Sequence, residues 1–152
     1  MGKMTEGNIS IENSPEKYQN YWASVKTLLT NDDPKINNNG AVELLLKMTP
    51  ELLEENYELY EEGFDLTMQA LALEDTERVI YNPVRVCAVC TLVNVIDHIQ
   101  KNPKAEYMDI YDKAALAVED KAYDKNEHSS VRFYAKAGVR RYLKGKRKRN
   151  FR

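Results

Sequence analysis

Apolar residues recur at helical spacing along most of the chain, and this pattern most restricts the folds that it can adopt. Within residues 18–29 they fall at i, i+3, i+4 and i+7, and similar stripes return within 107–118 and 131–142. Such a stripe covers one face of an α-helix, whereas a half-buried strand would alternate with a period of two. No turn signal joins two alternating runs as in a β-hairpin. The sequence therefore predicts an all-α fold.

Prolines are predicted to mark where helices begin. A capping side chain accepts a free backbone N–H, and proline at the first helical position has no N–H to leave unpaired. Four of the five prolines follow such a residue, at Ser14-Pro15, Thr49-Pro50, Asn82-Pro83 and Asn102-Pro103. The fifth, Pro34, lies in the Asn-rich segment Asn31–Gly40. That segment is predicted to be a loop, followed by a short helix over 42–48.

Two longer segments are predicted to form the centre of the molecule. One helix is predicted from Pro50 to about Leu73, with a turn from there to Tyr81. The segment from Pro83 to Gln100 is apolar almost all round, which marks the most buried element. Its β-branched residues also fit a strand, but its length and its Asn-Pro start favour a helix.

These segments amount to six or seven helices in one domain. We expect the domain to cover residues 1–145, with an N-terminal arm at 1–13, and to be followed by a basic tail at 146–152. A chain of 152 residues is the usual size of a single domain. A compact helical bundle and a short solenoid of α-α hairpins both fit the pattern.

A weak internal repeat relates two of the predicted helices. Val84-Arg85 followed by Ala88 matches Val131-Arg132 followed by Ala135, 47 residues later. This spacing lies within the range of HEAT and armadillo units. The Val-Arg-x-x-Ala pattern resembles the start of the inner helix of a HEAT repeat. The resemblance implies hairpins of residues 50–73 with 83–100 and of 103–122 with 129–143, and a binding scaffold rather than catalysis.

The composition indicates in which cellular compartment the protein is expected. No apolar run approaches the roughly 18 residues that a membrane span needs, and the polar N-terminus lacks a signal-peptide core. Two cysteines cannot build a disulfide framework, which favours a reducing environment. We therefore expect a cytoplasmic protein without membrane partners, or a subunit of a viral particle assembled in a host cytoplasm.

No motif in the sequence indicates an enzyme. Cys87-x-x-Cys90 lies inside an apolar helix without the further ligands of a zinc site, so both cysteines are expected to pack as small apolar side chains. Asp97 and His98 are adjacent and would point about 100° apart on a helix, so His98 is expected to make an ordinary contact at the helix end. There is no spaced nucleophile and base and no Gly-rich phosphate loop. No catalytic residue, metal or cofactor is predicted.

Charge is divided unevenly along the chain, although the net charge is only −2. Residues 1–127 hold all 24 acidic residues and 12 basic ones, whereas residues 128–152 hold 10 basic residues and no acidic one. We name two predicted docking surfaces. The acidic face comprises Glu51, Glu54, Glu55, Glu58, Glu61, Glu62 and Asp65. The basic surface comprises Arg132, Lys136, Arg140, Arg141, Lys144, Lys146, Arg147, Lys148, Arg149 and Arg152.

Three functions are compatible with this polarity. The first is a non-enzymatic structural or adaptor subunit that docks into a larger assembly through its two charged surfaces. A viral particle built from head-to-tail rings is one such assembly. The second is a helical protein that binds the phosphate backbone of nucleic acid through its basic C-terminus. The third is a HEAT-like scaffold that binds a protein partner.

Overall fold

The protein is all-α, as the sequence predicts. The computed structural model describes residues 21–149, with side chains described up to residue 143. The predicted arm at 1–13, the Ser14-Pro15 cap, the helix start near residue 18 and the last three residues lie outside the described residues. No strand occurs within 21–149. The helices are α1 Ala23–Leu29, α2 Pro34–Lys47, α3 Pro50–Glu55, α4 Tyr57–Leu71, α5 Asn82–Lys101, α6 Met108–Tyr123 and α7 Ser129–Arg149, with a 3-10 turn at Ala105–Tyr107 before α6.

The longer helices pack as consecutive pairs in two layers. α1 packs on α2, α4 on α5, and α6 on α7. The second helices of the pairs lie side by side, with α5 between α2 and α7. The first helices form the other layer, where the start of α1 contacts α4 and α4 contacts α6. α5 is the most enclosed helix, as predicted, with Val84, Leu92 and Ile99 fully buried.

The predicted loop at Asn31–Gly40 is wrong, because only Asn31-Asp32-Asp33 forms the turn. The Asp33 side chain accepts a hydrogen bond from the Lys35 amide at 2.9 Å, and Pro34 occupies the first turn of α2. Gly40 lies inside the helix, where a Cβ would come within 2.8 Å of the Leu29 amide nitrogen. Close packing of α1 on α2 therefore explains a glycine that reads as a loop residue in sequence.

The single helix predicted from Pro50 to Leu73 is also wrong, because Asn56 divides it into α3 and α4. Asn56 has an extended φ of −150° with ψ of 83°, and its side chain accepts from the Leu59 amide at 3.1 Å. It therefore caps α4 and ends α3. Thr49 caps α3 as predicted, by accepting from the Leu52 amide at 3.1 Å with Pro50 in the first turn.

The other two described Asn-Pro pairs do not act as the predicted caps. Asn82 is the first helical residue of α5, so Tyr81 occupies the cap position. The Asn82 side chain instead donates a hydrogen bond to the Ser130 hydroxyl at 3.4 Å. Asn102 ends α5 instead of starting a helix, since its backbone N–H donates to the His98 carbonyl at 2.9 Å and its side-chain Nδ2 donates to the same oxygen at 3.2 Å. The next α-helix begins at Met108 and not at Pro103.

An ion cluster ties two loops to the start of α5; it consists of the buried Arg85 and Glu127 and the more exposed Asp75 and Lys121. The Arg85 guanidinium lies 2.9 Å from Asp75 Oδ1 and 2.9 Å from Glu127 Oε2, and it donates to the Leu73 carbonyl at 2.8 Å. Lys121 Nζ contacts the other Glu127 oxygen at 2.8 Å. We call this group the Arg85 cluster. It joins the loop before α5 and the loop before α7 through one side chain.

Candidate docking surfaces

The acidic face lies on α3 and α4, on the side turned away from the core. Six of its members are exposed and Glu62 is half-buried. The opposite side of α4 supplies core residues such as Leu59, Phe64 and Leu71. The caps at Thr49 and Asn56 position the carboxylates, because they set where each of the two short helices begins.

The carboxylates of this face repel one another, and apart from Glu54 none of them forms an ion pair with a described cation. Burial raises the pKa of Glu62, and the nearby charges of Glu58 and Asp65 raise it further. Among the side chains of residues 21–143, no Lys, Arg or His forms an ion pair with any member except Glu54. The six other carboxylates therefore present a negative surface to solvent.

Glu54 differs from the rest of the acidic face because two basic side chains hold it. His98 Nε2 lies 2.8 Å from Glu54 Oε2, and Lys104 Nζ lies 2.9 Å from Glu54 Oε1. The hydrogen bonds from His98 and then Lys104 lower the pKa of Glu54 from 4.5 to about 2. Glu54 thus connects α3 to the end of α5, and this is the helix-end contact in which His98 takes part.

The negative region continues from α4 onto the start of α6. The Tyr57 ring stacks on Tyr107 at 6.1 Å, and the Tyr57 hydroxyl donates to the Glu106 carbonyl at 3.1 Å. Burial raises the pKa of Tyr57, and nearby carboxylates that include Glu61 and Asp109 raise it further. The acidic surface therefore extends beyond the residues that the sequence pattern identified.

The described part of the basic surface lies on α7. Lys136 and Arg140 are exposed, and Arg141 is exposed with a contact of 3.5 Å from its guanidinium to Asp97. Arg132 is half-buried, and its Nε has no hydrogen-bond partner among the described residues. The backbone of α7 is helical through Arg149, across the predicted start of the tail at 146. The side chains of Lys144, Lys146, Arg147, Lys148 and Arg149 are not described, and Arg152 lies outside the described residues.

The two arginines of the internal repeat have different environments. Arg85 is only 5% exposed and fully hydrogen-bonded in the Arg85 cluster, whereas Arg132 is half-buried without such partners. The helices that carry them, α5 and α7, pack directly on each other. The resemblance to HEAT repeats stays a prediction.

The two cysteines are free and half-buried on α5. Burial raises the pKa of both thiols, and the neighbouring Cys90 raises that of Cys87 further. A raised pKa keeps a thiol protonated, which opposes both nucleophilic attack and metal binding. Within residues 21–149, no three His, Cys, Asp or Glu side chains cluster as metal ligands would.

Sequence reasoning missed several exposed apolar residues. Leu116 and Tyr123 on α6 and Phe133 on α7 are large side chains that face solvent. Their signal was present in the sequence, since each falls outside the apolar stripe of its own helix. In the same described part of the chain, no helix is long and apolar enough to cross a membrane.

No protein-family model, curated protein or solved structure matches this chain.

Proposed function

We propose that this protein is a non-enzymatic structural or adaptor subunit that docks into a larger assembly through the acidic face and the basic surface. One observation carries the proposal: five exposed carboxylates on α3 and α4 form no ion pair with a described cation, while α7 presents exposed cations in the other layer. Clustered like charges weaken the fold of an isolated chain unless an opposite charge meets them. A partner with complementary charge would meet both surfaces.

Electrostatic complementarity of this kind gives orientation and fast association more than affinity. The exposed Lys136 and Arg140 would meet carboxylates of a neighbour, and Glu58, Glu61 and Asp65 would meet its cations. Because the two surfaces lie on different helices of different layers, one subunit can contact two neighbours at once. A viral ring or another closed particle is an assembly that such a subunit would suit.

Binding of nucleic acid is the second candidate, and the continuity of α7 favours it. Basic residues recur along this helix from Arg132 to Arg149, and a long basic helix can contact successive phosphates. The acidic face would make no contact with the nucleic acid, and its carboxylates would repel the phosphates.

Charge reversal on each surface separates the two candidates. The first variant is K136E/R140E, with K26E/K35E as a control that reverses two exposed cations of α1 and α2. The second variant is E58K/E61K, with E74K/E77K as a control in the exposed loop before α5. Each control has the same net charge as its test variant. Gradient sedimentation of extracts from the native source measures the size of the complex that holds each protein.

The docking proposal expects wild-type protein and both controls in a particle much heavier than 17.6 kDa. Both test variants should move to the position of the free chain. If nucleic acid is the partner, K136E/R140E alone should lose it, and E58K/E61K should bind phosphate polymer more tightly in a mobility-shift assay. Wild-type protein that sediments as a free chain at low salt would overturn the docking proposal.

A further inference from the structure

We infer that the partner is a second copy of this chain, with the outer face of α7 in one copy seated on the outer faces of α6 and α4 in the next. This inference rests on the proposed docking function and names the neighbour and the contact residues. It depends on two helix faces that the core leaves exposed and that complement each other in charge and apolar content.

The outer face of α6 carries two apolar anchors among acidic residues. Leu116 is 61% exposed and Tyr123 is 66% exposed. Seven residues separate them, so they lie on the same side of the helix about 10.5 Å apart along its axis. Asp120 is exposed and Glu119 half-buried between them. The opposite side of α6 packs in the core, so these anchors add nothing to the fold of the single chain.

The outer face of α7 carries an aromatic anchor and cations. Phe133 is 62% exposed, and its ring meets the Tyr134 ring edge-on at 5.4 Å. Lys136 and Arg140 follow at i+3 and i+7 and are exposed on the same side. Phe133 and Arg140 are therefore also about 10.5 Å apart along the helix axis. One face offers acidic groups around apolar anchors, and the other offers cations beside an aromatic anchor.

The acidic face of α4 enlarges the negative surface around the α6 anchors. Lys113 on α6 forms an ion pair with Asp109 at 3.0 Å, and the charges of Asp65 and Glu61 on α4 also act on it. The carboxylates of α4 and α6 therefore border one another. In the contact, apolar anchors would supply most of the affinity, and the charges would set orientation and exclude wrong partners.

The placement of the two helices predicts the symmetry of the assembly. α6 lies in the layer of first helices and α7 lies in the layer of second helices. The proposed contact joins unlike surfaces, the outer face of α7 in one copy and that of α6 in the next. Formed head to tail, it leaves each copy with one free surface of each kind, and it continues until a ring closes or a filament forms.

Sedimentation equilibrium of the purified full chain tests this inference. We expect self-association at about 50 mM salt that weakens toward about 1 M, because added salt screens charges beyond about 3 Å. The variant L116K should raise the dissociation constant by about tenfold or more. The control L46K changes an equally exposed leucine on α2, 64% exposed, and should leave association unchanged.

Mixing two defective variants tests the heterologous contact itself. L116K damages only the α6 face and F133E only the α7 face, so each alone should associate about tenfold more weakly than wild type, or weaker still. An equimolar mixture keeps one intact contact and should form complexes of two subunits that do not grow further. Circular dichroism verifies that each variant is folded.

Three results would overturn the inference. In the first, the purified chain stays monomeric at low salt although the native protein sediments in a particle. A different protein would then be the partner, and the proposed docking into an assembly would still stand. L116K and L46K could weaken association equally. The mixture of L116K and F133E could fail to associate although each folds.

Discussion

Removal of the Arg85 guanidinium is the most informative test of what holds the fold together. In R85M, Glu127 keeps only Lys121 and the His128 amide as partners, and its side chain is only 4% exposed. Loss of a hydrogen bond to a charged group costs about 1.5–3 kcal/mol, and an unpaired Leu73 carbonyl adds about 1 kcal/mol. Asp75 is partly exposed, and its ion pair adds at most about 1 kcal/mol. We therefore expect R85M to lower the free energy of unfolding by about 3–5 kcal/mol, the range seen when a buried ion pair loses one partner.

The assay is urea denaturation at neutral pH followed by circular dichroism, with a thermal melt in parallel. For a chain of this size, a loss of about 3–5 kcal/mol lowers the melting temperature by about 6–20 °C. The control R78M replaces an exposed arginine in the same loop and should change stability by less than about 0.5 kcal/mol. The double variant R85M/E127Q also removes the buried carboxylate that has lost its guanidinium partner, and it should recover part of the loss. A loss below about 1 kcal/mol in R85M would refute the structural role of the cluster.

Three further predictions concern single side chains of the acidic helices. Hydrogen bonds from its histidine and lysine partners lower the pKa of Glu54 to about 2, so the stability that this carboxylate gives is complete above about pH 4.5 and is lost as the pH falls toward 2. The stability difference between wild type and E54Q, measured by urea denaturation, should therefore shrink as the pH falls from 4.5 to 2. A difference that stays constant over this interval would contradict the prediction. N56A removes the cap of α4 and should cost about 0.5–2 kcal/mol in the same assay, whereas an unchanged stability would show that the cap is dispensable. G63A places a Cβ against the Met48 sulfur and the Trp22 ring and should cost about 1–3 kcal/mol in a thermal melt; equal or higher stability would mean that both side chains move aside freely.

Periodicity in the sequence predicted the all-α fold and the enclosed position of α5, because burial of an apolar face repeats at every helical turn. The errors occurred where local preferences and tertiary packing disagree. Gly40 favours a loop by itself, yet the close approach of α1 requires a residue without a side chain there. Asn56 carries no strong signal of a break, and its capping hydrogen bond becomes visible only with the backbone in place.

The candidate surfaces divide in the same way. Charge counting located the acidic face and the basic surface, since side chains on an exposed helix face need no tertiary information to be recognised. It could not separate Glu54 from its neighbours, because its partners His98 and Lys104 are more than 40 residues away in the chain. The Arg85 cluster was hidden for the same reason, since Arg85 and Glu127 meet only in the folded chain.

The sedimentation behaviour of the protein from its native source tests the central claim most directly. If the charged surfaces dock into an assembly, the protein sediments in a particle much heavier than 17.6 kDa at about 50 mM salt. Salt of about 1 M should release it, because screening then removes the attraction between the surfaces. A chain that sediments as a free monomer at both salt concentrations would contradict the claim.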